Sequence, residues 1–154
     1  MRVPIGRGPS PVWRMSDLDG HPVSSSNYLG NVVVLNFWAT WCPPCRQEIP
    51  ELNAFQKAHS GDGVVVVGAS VDEGETTVVR DFVQRMKISY PVLVADLQTQ
   101  ARFGGASTGP SGSQLTLPTT VVIDRKGNYA ARYLGAITQE ELEKAVKPLL
   151  APSQ

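Results

Sequence analysis

The pattern of apolar and polar positions divides the chain into alternating strand and helix segments. The run from Val32 to Trp38 opens with Val32-Val33-Val34-Leu35, a β-branched apolar stretch that predicts a buried strand. After Cys45, Ile49, Leu52, Phe55 and Ala58 recur at helical spacing, which predicts a helix over about 43–58. Pro43 and Pro44 fall in its first turn, where a missing N–H costs nothing, and Pro50 inside the pattern predicts a kink. Val64–Val67 begins a second buried strand ending near Ser70. Glu75–Lys87 then carries Val78, Val79, Phe82, Val83 and Met86 on one helical face. A short strand at Pro91–Ala95 and a short helix at Leu97–Phe103 follow, the helix stopped by Gly104-Gly105. Residues 105–114 are rich in Gly, Ser and Thr and are expected to form a mobile loop.

Toward the C-terminus, Thr119–Ile123 and Asn128–Leu134 flank the turn Asp124-Arg125-Lys126-Gly127 and predict a hairpin. Thr138 and Glu141 form a capping box that opens a closing helix, which buries Leu142, Ala145, Val146 and Leu149 and is distorted near Pro148. At the front, Val12–Met15 and Pro22-Val23 surround Asp19-Gly20, a strong hairpin turn signal. Residues 1–11 are expected to be a flexible lead-in and 151–154 a tail, leaving one domain over 12–150. The order ββ-βα-β-αβ-α-ββ-α predicts an α/β fold: a central mixed β-sheet flanked by helices.

Composition narrows the function classes. The chain has 154 residues, enough for one well-buried core. Fourteen basic and fourteen acidic residues cancel, which argues against nucleic acid or an anionic membrane as a general partner. No apolar stretch approaches a membrane span, and the first eleven residues contain no signal-peptide core. Either the protein stays in the cytoplasm or its native leader is absent from this chain.

The candidate chemistry lies where the first buried strand enters its helix, at Trp41-Cys42-Pro43-Pro44-Cys45. These are the chain's two cysteines. A cysteine at a helix N-terminus meets unpaired N–H groups and the positive end of the dipole, which favour thiolate over thiol. Cys45, one turn on, faces the same side and can close a short disulfide. A zinc site would need four ligands, and only His21 and His59 remain to supply nitrogen. An inert staple would more naturally join distant segments, because the entropic benefit of a disulfide grows with loop length. A redox dithiol is the favoured reading.

Around this motif the chain resembles the thioredoxin superfamily, in particular its TlpA/ResA-like thiol–disulfide oxidoreductases. The resemblance rests on Asn36 through Pro50, on Leu117-Pro118-Thr119-Thr120 as a cis-proline loop, and on Gly135 as the glycine beside the site. It implies a thioredoxin-like fold with an N-terminal β-hairpin extension and a central αβ insertion over 75–95. It also implies catalytic roles for Cys42, Cys45 and Pro118, and a partner-docking rim of Trp41, Pro43, Leu117 and Gly135. Thioredoxin has a buried aspartate and a lysine where this chain has Asn36 and about Gly68. A glutamate from the insertion, Glu75 in preference to Glu73, is therefore the expected proton acceptor. Phe37 and Trp13 are expected in the core, and His59 on the surface.

Function follows as an expectation: reduction of disulfides in extracytoplasmic proteins, such as the cysteines of apocytochrome c or of copper sites. Electrons would come from a membrane or thioredoxin-type donor. The resemblance thus favours a periplasmic or other extracytoplasmic location, with the cytoplasm as the alternative, a monomeric state, and no cofactor or bound metal. Two alternatives stand beside it. A peroxiredoxin-like peroxidase would need a threonine in P-x-x-x-T-x-x-C, which Cys42 lacks. A copper-delivery module would use two thiolates for Cu(I), but neither His59 nor His21 is placed to be a third ligand.

Overall fold

The structure is a computed structural model that describes residues 1–6, 8–104 and 115–150. Among them run eight strands: β1 (Arg2–Val3), β2 (Arg14–Asp17), β3 (Pro22–Ser24), β4 (Val32–Trp38), β5 (Val64–Ser70), β6 (Val92–Val94), β7 (Thr119–Ile123) and β8 (Tyr129–Leu134). Four helices accompany them: α1 (Pro43–Ala58), α2 (Thr76–Arg85), α3 (Leu97–Gly104) and α4 (Gln139–Leu150). The strands form one mixed sheet in the order β1-β8-β7-β4-β5-β6-β2-β3. The β4–β5 and β5–β6 pairs are parallel; the others are antiparallel.

The apolar run at 32–38 explains the centre of this sheet. All seven residues of β4 are buried, and the strand is paired on both edges. Side chains alternate across a strand. Val32, Val34 and Trp38 therefore meet the core under α1 and α4, with Leu52, Phe55 and Leu142. Val33, Leu35 and Phe37 meet the opposite core, closed by Trp13, Met15 and Phe103. Asn36 falls on the α1 face, a polar residue between Val34 and Trp38. That placement matters for the site.

Helix α1 runs unbroken past Pro50, whose side faces solvent. The αβ insertion is formed by α2 and β6, and β6 joins the N-terminal hairpin to the sheet by pairing with both β5 and β2. No helix among the described residues is long and apolar enough to cross a membrane.

Three expectations need correction. The lead-in is docked: Arg2 and Val3 pair with Tyr133 and Arg132, and Ser10 N–H donates to the Gly127 carbonyl at 3.0 Å. The free edge of β8 offers unpaired backbone groups, and the polar N-terminus satisfies them. Val78 is exposed, because α2 turns Val79, Phe82 and the half-buried Val83 to the core and leaves Val78 on its outer side. His59 is 8% exposed at the C-terminus of α1, with Nδ1 3.1 Å from Asp62 and Nε2 2.7 Å from Glu143 of α4. There α4 crosses the end of α1 and covers a ring that already packs on Phe55. The segment expected to be a mobile loop, 105–114, and the tail, 151–154, lie outside the described residues.

Candidate active site

The turn between β4 and α1 presents the cysteines. Cys42 N–H donates to the Ala39 carbonyl at 3.2 Å, closing a four-residue turn that carries Thr40 and Trp41 in its middle. Cys42 is the N-cap of α1, in extended conformation, and its sulfur accepts from the Cys45 backbone N–H at 3.3 Å. Pro43 and Pro44 fill the first helical positions. They contribute no N–H, so a Cys42 thiolate would keep the Cys45 amide as its donor within this motif. The two cysteines form a disulfide with Cα atoms 5.3 Å apart. Both are buried, Cys42 at 4% exposure being the more accessible and Cys45 at 1% the less.

One turn beyond Cys45 stands a residue the motif did not single out. Glu48 is 1% exposed, and both its carboxylate oxygens are held by donors. Asn36 Nδ2 donates to Oε1 at 2.6 Å, and the Ile137 backbone N–H donates to Oε2 at 3.1 Å. Asn36 is in turn fixed by Thr120, 3.0 Å away on β7. Burial pushes the Glu48 carboxyl up to about 7, with the bonds from Asn36 and Ile137 opposing that shift. Tyr90 is raised as well, first by burial and then by the Glu48 charge. Residues three apart share a helix face, so Glu48 lies behind Cys45 with a carboxyl that changes charge near neutral pH. The signal was present in the sequence: within the apolar spacing Cys45, Ile49, Leu52, position 48 faces inward.

Beside Glu48, Asn36 pairs in register with Gly68 on β5. The space beside Gly68 is occupied by aromatic edges. A Cβ there would sit 3.0 Å from Tyr90 Cε2 and 3.1 Å from Trp38 Nε1. Trp38 also packs on Phe82, with ring centres 5.4 Å apart.

The remaining predicted residues divide into two groups. Leu117–Pro118 is a cis peptide, and the Pro118 carbonyl accepts from Gly135 N–H at 2.9 Å, so these two predicted positions adjoin. Leu117 lines a groove of about 440 Å³ together with Cys42, Trp41 and Pro43. Trp41 is 66% exposed at the edge of that groove. Leu97 and Gln100 of α3 form part of the opposite wall. Glu73 also lines the groove, but Glu75 does not. Glu75 is the exposed N-cap residue of α2, without a side-chain cap bond. The buried carboxylate behind the dithiol is Glu48, and the insertion glutamate is a solvated helix-start acid.

The sequence model of the AhpC/TSA family matches residues 8–132, most of the chain and all of the cysteine motif. The chain belongs to the AhpC/TSA family. Within this family, it is similar to the thiol–disulfide oxidoreductase ResA of Geobacillus kaustophilus, 33% identical over 142 residues, covering 90% of this chain and 76% of that protein. The fold matches a thiol:disulfide interchange protein of the thioredoxin family from Chlorobium tepidum, with a TM-score of 0.80 and 32% identity. That match covers 97% of this chain and all of that one. It also matches a secreted thiol–disulfide isomerase from Corynebacterium glutamicum, with a TM-score of 0.81, 28% identity, and coverage of 94% and 86%. This AhpC/TSA member has a thioredoxin-like fold and is a protein thiol–disulfide oxidoreductase, with Cys42 and Cys45 in C-x-x-C spacing.

Proposed function

We propose that this oxidoreductase reduces disulfides of extracytoplasmic proteins, with Cys42 attacking, Cys45 resolving and Glu48 accepting the proton. The observation that carries the reading is the asymmetry of the pair. Cys42 caps a helix at the mouth of a groove, while Cys45 lies one turn deeper in front of a buried carboxylate. A Cys42 thiolate attacks one sulfur of a partner disulfide; the second partner sulfur leaves as a thiolate and takes a proton from solvent. The Cys45 thiol gives its proton to ionised Glu48, and the resulting thiolate attacks Cys42 Sγ in the mixed disulfide. The partner leaves with both thiols, and the electron pair has moved from the dithiol to the partner. A donor dithiol, membrane-borne or thioredoxin-type, restores the enzyme by the reverse exchange.

Two features support the reducing direction. The Pro43-Pro44 loop withholds amide donors from the thiolate, and a less stabilised thiolate makes the dithiol form easier to oxidise. Glu48, once ionised, repels a thiolate at Cys45 and again favours the disulfide. Docking is assigned to Trp41, Pro43, Leu117 and Gly135 around Pro118. There an exposed indole offers a large apolar face, and the Leu117 backbone offers strand-like hydrogen bonds to an extended peptide. The substrate class is a cysteine pair kept open for later attachment of a cofactor, as in apocytochrome c or a copper site. An extracytoplasmic setting accords with the secreted relative.

The test is reduction of insulin by the reduced protein, paired with anaerobic Cu(I) titration. Stoichiometric transfer of one electron pair per Cys42–Cys45 pair is expected. Tight one-to-one copper binding without reductase activity would contradict the reading and favour a copper carrier.

A further inference from the structure

The turn that presents Cys42 is held from outside the motif by Asp72, just beyond the end of β5. The Asp72 carboxylate accepts from the Thr40 backbone N–H at 3.1 Å and from the Thr40 hydroxyl at 2.6 Å. Oδ2, the oxygen that accepts from the Thr40 N–H at 3.1 Å, also accepts from the Ser70 hydroxyl at 2.7 Å, and the Asp72 N–H donates back to that hydroxyl at 3.1 Å. Val71 N–H donates to the Trp38 carbonyl at 2.8 Å, which aligns the ends of β4 and β5 beside this cluster. Thr40 is a central residue of the Ala39–Cys42 turn, so an acid from the next strand is bound to backbone two residues before the attacking sulfur. Hydrogen bonds to a carboxylate are stronger than neutral ones and fix geometry accordingly.

We propose that Asp72 is a positioning residue for the dithiol: its carboxylate sets the Thr40–Cys42 turn, and its negative charge biases the Cys42–Cys45 pair toward the disulfide. The inference rests on the functional reading above, in which a Cys42 thiolate attacks. Asp72 is bound to Thr40, two residues before that sulfur, Glu73 lines the same groove as Cys42, and Glu48 lies one helical turn beyond Cys45. Arg46 is the cation of the motif, and its guanidinium packs over the Phe82 ring at 5.6 Å. A carboxylate on the thiolate side raises the thiol pKa and destabilises the dithiol relative to the disulfide. Asp72 thus strengthens the reducing character that the two prolines begin.

Charge and geometry separate by substitution. Asp72→Asn removes the charge, yet its carbonyl can still accept from Thr40 N–H and its amide can donate to either hydroxyl. Thr40→Val keeps the charge and removes one donor that offsets it. The experiment measures, in the full chain, the pH midpoint for alkylation of Cys42 in the reduced protein and the dithiol–disulfide equilibrium against glutathione.

Asp72→Asn is expected to lower the alkylation midpoint and move the equilibrium about three- to ten-fold toward the dithiol, as expected for up to one pKa unit of lost repulsion. Thr40→Val is expected to move it the opposite way or not at all. A structural role alone would loosen the turn in both variants and move them in the same direction. A Thr40→Val shift toward the dithiol overturns the proposal whether or not Asp72→Asn folds. Asp72→Asn values within two-fold of wild type overturn it too. A wild-type pair that never equilibrates with glutathione overturns the functional reading along with this one.

Discussion

Replacing Glu48 with glutamine probes the buried carboxyl with a stability measurement whose sign and size follow from the structure. In the folded protein this group titrates at about 7, against an ordinary value of 4.5. Between these values the folded chain holds a proton that the unfolded chain has released. Stability from this group is therefore complete at low pH, falls as pH rises from 4.5 to about 7, and is flat above that. At roughly 1.4 kcal/mol per unit, the loss is about 3 kcal/mol. Glutamine does not ionise, so Glu48→Gln lacks this slope. Its amide meets two donors, Asn36 Nδ2 and Ile137 N–H. Rotation of the Asn36 amide turns Oδ1 toward the new N–H₂ and toward the Thr120 hydroxyl, which then donates; the cost of taking Asn36 Nδ2 from its two acceptors is the same at every pH and does not enter the slope. The assay is urea unfolding of the oxidised proteins from pH 4.5 to 8.5, read as variant minus wild type, so that contributions common to both proteins cancel. The difference should climb by about 3 kcal/mol between pH 4.5 and 8. A difference that stays flat, or that falls, would refute the argument that burial dominates this carboxyl.

Two further substitutions have defined outcomes. Gly68→Ala places a Cβ 3.0 Å from the Tyr90 ring and 3.1 Å from the Trp38 indole nitrogen. The tight packing should cost about 1–3 kcal/mol in urea unfolding, and an unchanged or higher stability would contradict it. Trp41→Ala should raise KM for a protein disulfide several-fold while leaving the reaction with a small-molecule disulfide within two-fold, because the exposed indole contributes area to docking and nothing to sulfur exchange. Equal losses with both substrates would place Trp41 in the chemistry instead.

Much of the fold and half of the site were legible in the sequence because they depend on local pattern. The apolar run at 32–38, the helical spacing after Cys45 and the Thr138–Glu141 cap are short-range signals, and the strands and helices they predict are present. The Cys42–Cys45 disulfide and the cis bond before Pro118 were readable because few residue types suit those positions. Contacts distant in sequence were not readable. Asn36, Glu48 and Thr120 meet because three separate elements converge under the dithiol, and no spacing rule joins residue 36 to residue 120. Glu48 could have been found by asking why a carboxylate interrupts a core-facing helical position. Glu75 was favoured because it lies in the insertion, yet helix-start position alone leaves an acid in solvent. The docked N-terminus and the burial of His59 likewise depend on a sheet edge and on a helix crossing that the local sequence does not encode.

The central claim is that Cys42 attacks and Cys45 resolves, and mixed-disulfide trapping tests it most directly. Reduced Cys45→Ser and Cys42→Ser proteins are each mixed with an oxidised partner peptide, quenched in acid and weighed by intact mass spectrometry. Cys45→Ser should accumulate a covalent adduct through Cys42, since no second thiol is present to release it, and Cys42→Ser should accumulate none. Adducts of equal yield on both variants, or on Cys42→Ser alone, would contradict the account.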